Sequence, residues 1–280
     1  MRRGVLLPAL GLRFFPKRSL GQNFLIHRQA ASRIAQSLGL ASADVVVEIG
    51  PGSGILTKEL LKYGAQVIGV EIDSRLCKIL RENLKSERLL VFCDDFLQFD
   101  LSPWEGGLKV VGNIPYHLTS PIMEKLIEEK GRIGLIVLTL QREVARRICS
   151  PPGRKDFGSL SVISQLHFHP NKLFDLPPSS FRPRPKVEAT VLRLNVREEL
   201  AVPIPDEQFF RKVVKGAFGK RRKTIKNALK GFLPEGLEDE IFSRAQIDPS
   251  LRGEALSLAD FSRLSTVLWE VMAQYSGHQI

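Results

Sequence analysis

Cysteine, tryptophan, methionine and tyrosine are all scarce here: 3, 2, 3 and 3 in 280 residues. Cys77, Cys93 and Cys149 are odd in number and match no zinc or redox spacing, which excludes a disulfide framework or thiolate cluster as the organising principle. They read as reduced, structural thiols in an intracellular setting. No apolar run approaches the ~20 residues of a membrane helix. The longest, such as 134–140, have the length of buried strands. His167 and His169 stand without a partner cluster, so they read as structural and no metal site is expected. Heptads and internal repeats are missing too, so a monomer is expected. Acidic residues are the other deficit: 30 Asp and Glu face 41 Lys and Arg, a formal net charge of +11. Such an excess points to a polyanionic partner, nucleic acid foremost. Residues 1–22 carry no acid, and their apolar part is short for a transit segment. They read as a basic nucleic-acid arm on a cytoplasmic protein.

Hydrophobic residues make up 43% of the chain, enough for a sizeable core. From residue 29 to 150 short β-branched runs alternate with helical spacings. Strands are expected at 44–49, 66–72, 89–93, 108–112 and 134–140, and helices at 29–38, 55–63, 74–84 and 121–129. That alternation predicts a doubly wound parallel sheet. Residues 151–185 are rich in Pro, Gly and Ser, and within them 160–168 suits a helix or a strand equally. A late strand is expected at 188–196, and helical patterns run from Asp206 onward. The organisation is therefore a basic arm at 1–22, an α/β domain at 23–197 and a helical domain at 198–280.

The run Val45-Val46-Val47-Glu48-Ile49-Gly50-Pro51-Gly52-Ser53-Gly54 puts a strand directly before a glycine turn and a helix. Glycines let backbone approach a ligand closely, and a helix start offers free N–H groups. Glu71 ends the next strand about twenty residues on, where a carboxylate accepts hydrogen bonds from ribose hydroxyls in nucleotide-binding sheets. Gly50, Glu71, Asp95 and Asn113 all fall at carboxyl ends of strands, the ligand edge of such a sheet. The glycine order departs from the dinucleotide fingerprint. Glu-x-Gly-x-Gly-x-Gly resembles the first motif of class I S-adenosylmethionine methyltransferases.

Asn113-Ile114-Pro115-Tyr116 follows the fourth strand and resembles the (Asn/Asp)-Pro-Pro-Tyr motif of amino methyltransferases. An exocyclic adenine nitrogen is a poor nucleophile because its lone pair is delocalised into the ring. Two acceptors on its hydrogens draw it towards tetrahedral geometry. The Asn113 side-chain oxygen and a backbone carbonyl of Ile114 or Pro115 are the candidates. Tyr116 offers an aromatic face for an extruded base. The leaving sulfide needs no general acid, so positioning is expected to carry the rate.

Further segments match one family. Lys17-Arg18-Ser19-Leu20-Gly21-Gln22-Asn23-Phe24-Leu25, Gln141-Arg142-Glu143-Val144-Ala145-Arg146-Arg147, Phe157-Gly158-Ser159-Leu160-Ser161-Val162 and Pro177-Pro178-Ser179-Ser180-Phe181-Arg182-Pro183-Arg184-Pro185-Lys186-Val187 each resemble its motifs. The family is that of the bacterial small-subunit ribosomal RNA adenine N6,N6-dimethyltransferases (KsgA/RsmA), with eukaryotic relatives, and the likeness runs from about residue 13 to about 230. It implies a Rossmann-like class I methyltransferase sheet with a small C-terminal all-helical domain. It also implies S-adenosyl-L-methionine as cofactor. By resemblance, Asn23 and Leu25 help close the cofactor site, and Gly50 and Glu71 hold the amino-acid and ribose portions. Asp95, with Asp94 as competitor, meets the cofactor's adenine amino group. Asn113 stands between cofactor and target base, and Phe181 faces Tyr116 across that base. The implied substrate is two adjacent adenosines in a 3′-terminal hairpin of small-subunit ribosomal RNA, in a 30S precursor. His117 departs from the Asn common at that position. Resistance enzymes acting on large-subunit RNA share these motifs; the Phe181 segment and the Arg-Arg-Lys-Thr stretch favour the small-subunit group.

Residues 211–230 hold nine Lys and Arg and no acid, interleaved with apolar residues at helical spacing. One face packs while the other is cationic, which suits phosphate contacts. Arg221, Arg222 and Lys223 are its densest cluster and the expected RNA contacts.

Overall fold

The computed structural model describes residues 5–7, 12–17, 20–104, 106–220 and 222–276. Arg221 and part of the expected basic arm, Arg18 included, lie outside the described residues.

Hairpin strands β1 (Val5–Leu7) and β2 (Leu12–Phe14) and the short β3 (Phe24–Leu25) come first. There follow α1 (Arg28–Ser37), β4 (Val45–Ile49), α2 (Ile55–Leu61), β5 (Gln66–Val70), α3 (Ser74–Asn83), β6 (Leu89–Phe92), β7 (Leu108–Asn113), α4 (Thr119–Glu128) and β8 (Ile133–Gln141). The chain continues through α5 (Arg142–Ile148), α6 (Ser159–His167), β9 (Phe168–Leu176), β10 (Phe181–Arg182) and β11 (Ala189–Val196). It ends in α7 (Glu207–Gly219), α8 (Ile225–Ala228), α9 (Glu238–Ala245) and α10 (Leu258–Ser276).

Seven strands form one sheet in the order β6-β5-β4-β7-β8-β11-β9. β6 to β8 run parallel, and β11 turns antiparallel against β8. Val46 and Val47 are wholly buried, as expected of a central parallel strand covered by helices on both faces. The carboxyl ends of β4, β5, β6 and β7 deliver Gly50, Glu71, Asp95 and Asn113 to one edge of the sheet. Gly50, Gly52 and Gly54 all have positive φ (62°, 56° and 74°), which the tight turn from β4 into α2 demands and only glycine supplies without strain.

Strand β5 stops at Val70, two residues short of its expected end. The Glu71 carboxylate accepts N–H groups from Gly52 and Asp73, both at 3.0 Å, while its backbone still bonds across to Phe92 and Asp94. The ambiguous stretch 160–168 is helix α6 to His167, and the polar strand β9 then forms a sheet edge the sequence did not announce. Pro170 and the charged residues of β9 belong on an edge, where a missing N–H or a charge does no harm.

Contacts divide the chain into two units, Met1–Ala145 with His169–Glu198, and Arg146–Phe168 with Glu199–Ile280. The sequence suggests one division near residue 197; the fold also carries 146–168 into the helical unit. The reason is apolar burial. Phe157, Val162 and Leu166 share a core with Phe210, Val214, Phe242, Phe261 and Leu264. Burying each such side chain is worth about 1.5–3 kcal/mol. Asp206 starts α7 by accepting the Phe209 N–H at 2.7 Å. Within this unit His167 is buried with Nε2 3.4 Å from Glu207, while His169 in the first unit is exposed. None of the three cysteines forms a disulfide. Among the described residues no helix is long and apolar enough to cross a membrane.

Candidate active site

A cleft open to solvent lies at the carboxyl edge of the sheet within the first unit. Gly50, Glu71, Asp95, Asn113, Pro115, Tyr116, Phe181 and Asn23 all line it, so eight residues singled out in the sequence meet in one place. Leu25 is the exception: its side chain is buried in the core beneath the cleft. Leu25 pairs with Phe181 across β3 and β10, and so supports the cleft wall from behind.

One half of the cleft is built for hydroxyls and a cation. A Cβ placed on Gly50 would have nothing within 4 Å, so the glycine leaves a cradle that any side chain would fill. Glu71 is buried beside it, and burial, reinforced by the Asp73 carboxylate, pushes its pKa up; the N–H groups of Asp73 and Gly52 oppose that shift. Asp95 Oδ1 accepts the Leu97 N–H at 3.0 Å, which fixes that carboxylate at the end of β6. Asp94 lines the cleft as well and accepts the Asp95 N–H at 2.8 Å. Carboxylates, open backbone and the apolar Ile72, Phe96 and Leu97 make a seat that fits S-adenosylmethionine: acceptors for ribose hydroxyls, negative charge for a sulfonium, apolar walls for the adenine ring.

The other half is aromatic. Asn113 ends β7, and its Nδ2 donates to the Asn23 carbonyl at 2.7 Å. The strand is held tightly here: a Cβ on Gly112 would meet Ile49 Cβ and Ile114 Cδ1, each at 2.9 Å. Ile114 donates its N–H to Thr139 at 3.1 Å, and the Pro115 carbonyl accepts the Leu118 N–H at 2.9 Å. Tyr116 is half-buried, which raises its phenol pKa, and Phe181 is buried. His117 is exposed and packs by Gly21, where a Cβ would come within 3.0 Å of its ring. Among the described residues the lining contains no lysine, arginine, histidine or cysteine.

In the helical unit Arg222 and Lys223 are exposed, as are Lys212, Lys215, Lys220 and Lys230. Two other cations of that stretch are neutralised, Arg211 by Glu207 at 2.8 Å and Lys226 by Asp239 at 2.6 Å. Sequence reading passed over Gln22, Phe24 and Asp73. Gln22 and Phe24 line the cleft, and Asp73, wholly buried, binds Gln22 at 3.1 Å. The signal was available: Asp73 stands two residues past Glu71, at the cap of a helix.

The profile described as ribosomal RNA adenine dimethylase matches residues 14–269. The chain belongs to the ribosomal RNA adenine dimethylase family. This dimethylase is 40% identical over 262 residues to the ribosomal RNA small subunit methyltransferase A of Caldanaerobacter subterraneus, covering 90% of this chain and 97% of that one. Its identity to the protein so named in Geobacter metallireducens is also 40%, over 90% of this chain and 95% of the relative. Among solved structures, the 23S rRNA methyltransferase ErmE superposes with a TM-score of 0.68 at 28% identity, covering 88% of this chain and 99% of that one. A dimethyladenosine transferase from Plasmodium falciparum superposes at 0.74 with 23% identity, over 85% and 94% of the chains, and attests the shared fold. The dimethylase is thus an S-adenosylmethionine-dependent enzyme on a class I methyltransferase sheet.

Proposed function

We propose that this enzyme dimethylates N6 of two adjacent adenosines in a 3′-terminal hairpin of small-subunit (16S) ribosomal RNA, acting in the cytoplasm as a monomer on a 30S precursor. The observation that carries the chemistry is the Asn113 amide. One of its two Nδ2 hydrogens is held by the Asn23 carbonyl at 2.7 Å, which fixes the amide and leaves its Oδ1 to accept a hydrogen in a cleft also lined by Tyr116 and Phe181. The 40%-identical relatives, named for the small subunit, support the substrate class.

S-adenosylmethionine supplies a sulfonium methyl whose departure needs no proton. Gly50 receives the amino-acid portion, Glu71 the ribose hydroxyls and Asp95 the adenine amine, with Asn23 closing the seat. Asn113 Oδ1 and the Ile114 carbonyl accept the two N6 hydrogens of the target. Ile114 is preferred to Pro115 because the Pro115 carbonyl already takes the Leu118 N–H. Those two bonds localise the nitrogen lone pair and aim it. Tyr116 and Phe181 stack the extruded base, each such contact being worth about 1–3 kcal/mol. Leu25 acts at one remove, by holding Phe181 across the β3–β10 pair. Arg222 and Lys223 contact phosphate, with Arg221 assigned to the same role from the sequence. Phosphate contacts position RNA, and its shape and an accessible loop give selectivity.

The test incubates the protein with tritiated S-adenosylmethionine and under-methylated small subunits, with large subunits alongside. Label in small-subunit RNA, recovered as N6,N6-dimethyladenosine and abolished by Asn113→Ala, is the expected result. Label confined to large-subunit RNA would move the enzyme to the substrate named for ErmE.

A further inference from the structure

Phe14 and Phe15 lie by the amino end of α3, and residues 20–24 line the cleft. Gln22 Nε2 donates to Asp73 Oδ2 at 3.1 Å, and Gln22 Oε1 accepts the Lys17 N–H at 2.8 Å. Lys17 Nζ stands 3.6 Å from Asp73 Oδ1. Arg75, held to Asp73 at 2.6 Å, donates to the Phe15 carbonyl at 3.3 Å and covers the Phe14 ring at 4.5 Å. Phe14 meets Phe24 edge to face, and both pack on Leu76 of α3. The segment so held supplies Asn23, whose carbonyl orients Asn113.

Asp73 also faces the other way. Its N–H donates to Glu71 Oε1 at 3.0 Å, on the carboxylate expected to take the ribose hydroxyls. Asp73 is wholly buried and does not line the cleft, so it reaches neither cofactor nor base directly. One buried carboxylate therefore connects the floor of the cofactor seat to the segment that sets the catalytic amide.

We propose that the Gln22–Asp73 pair is a positioning latch: it fixes residues 20–24 over the cofactor seat and thereby couples cofactor binding to the orientation of Asn113. The inference rests on the S-adenosylmethionine site and is independent of which RNA is methylated. Gln22 joins the Lys17 backbone N–H to Asp73 through both ends of its amide, and Arg75 joins the Phe15 carbonyl to the same carboxylate. Arg75 and the aromatic packing hold Phe14 and Phe15, whereas Gln22 holds the part that lines the cleft.

Binding of S-adenosylhomocysteine is measured by calorimetry for the wild type, Gln22→Ala, Gln22→Glu, Asp73→Asn and the Gln22→Glu/Asp73→Asn pair. A hydrogen bond to a buried charged group sets the expected loss at about tenfold for Gln22→Ala. Gln22→Glu should lose more, because it sets a second carboxylate against Asp73. The paired variant should recover to within about threefold of wild type, since the amide introduced at 73 can donate to the carboxylate introduced at 22. In turnover, kcat should fall along with the rise in KM for the cofactor, which simple loss of folded protein would not produce. Wild-type affinity in Gln22→Ala and Gln22→Glu would overturn the latch. So would a paired variant that melts like wild type yet binds no better than Gln22→Glu alone. A wild-type protein that fails to bind would overturn the cofactor assignment, and the latch with it.

Discussion

The Asn113 side chain donates to the backbone carbonyl of Asn23 at 2.7 Å, across 90 residues of sequence. On the proposed mechanism, the bond leaves the amide oxygen to face the reacting amine. It also means that the Asn113 amide is oriented by a segment outside the seven-stranded sheet. Asn113→Ala should lower single-turnover methylation by about 10²–10³, the usual cost of one preorganised polar group at a reacting centre. Asn113→Asp should be nearly as impaired, because it loses the donor and turns a carboxylate oxygen towards the Asn23 carbonyl. Activity of Asn113→Asp close to wild type would show that the Asn23 bond is dispensable.

Gly50 and Gly52 share a turn and a positive φ but differ in what surrounds them. A Cβ on Gly50 meets nothing within 4 Å, whereas one on Gly52 comes within 2.9 Å of the Phe24 ring. Both alanine variants bear a left-handed backbone cost of about 1–2 kcal/mol. Gly50→Ala should therefore melt only a few degrees low while losing most S-adenosylhomocysteine affinity, its methyl standing in the cradle. Gly52→Ala should lose more stability, because Phe24 must move away from Phe14 and Leu76. Differential scanning calorimetry with and without ligand separates the two; equal melting shifts would count against this reading.

Much of this was legible in the chain because the fold brings strand ends together. Gly50, Glu71 and Asn113 each end a β-branched run and Asp95 follows the apolar run at 89–93, and a parallel sheet places such ends along one edge. Phe181 became legible only through resemblance, since its arrival at the cleft depends on β10 pairing with β3, two strands of two residues each. Nothing periodic marks strands that short. Gln22 and Asp73 were passed over for a related reason: their meaning lies in a contact between distant segments, which neither spacing nor composition encodes. The membership of 146–168 in the helical unit was hidden because Leu160 to Phe168 suits two periodicities, and only the core it completes decides.

Glu48 offers a test in pH. It is buried, and burial together with nearby Glu71 pushes its carboxyl up to about 8, against the 2.6 Å hydrogen bond from Thr57. A raised carboxyl pKa means that the folded state holds a proton the unfolded chain has released. Stability from this group therefore falls as pH rises from about 4.5 to about 8. Glu48→Gln keeps the shape and an acceptor for Thr57 while removing the titration. Its melting temperature should exceed wild type at pH 8, and the gain should vanish near pH 4. A gain that is the same at both values would place the effect elsewhere.

The cationic face of the helical unit makes a different kind of prediction, because phosphate contacts act through released counterions. Arg222 and Lys223 are exposed, whereas Arg211 and Lys226 are already paired with carboxylates. Reversing Arg222 and Lys223 to Glu should weaken RNA binding far more than changing Arg211, whose charge is spent inside the protein. If both contact phosphate, the slope of log affinity against log salt should become shallower by about 1.5–2. S-adenosylhomocysteine affinity should not change, since neither residue lines the cleft. Filter binding of a small-subunit hairpin from 50 to 300 mM salt (roughly a Debye length of 14 down to 6 Å) gives the slope directly. An affinity loss with an unchanged slope would mean that the two side chains shape the helical unit and do not touch the backbone of the RNA.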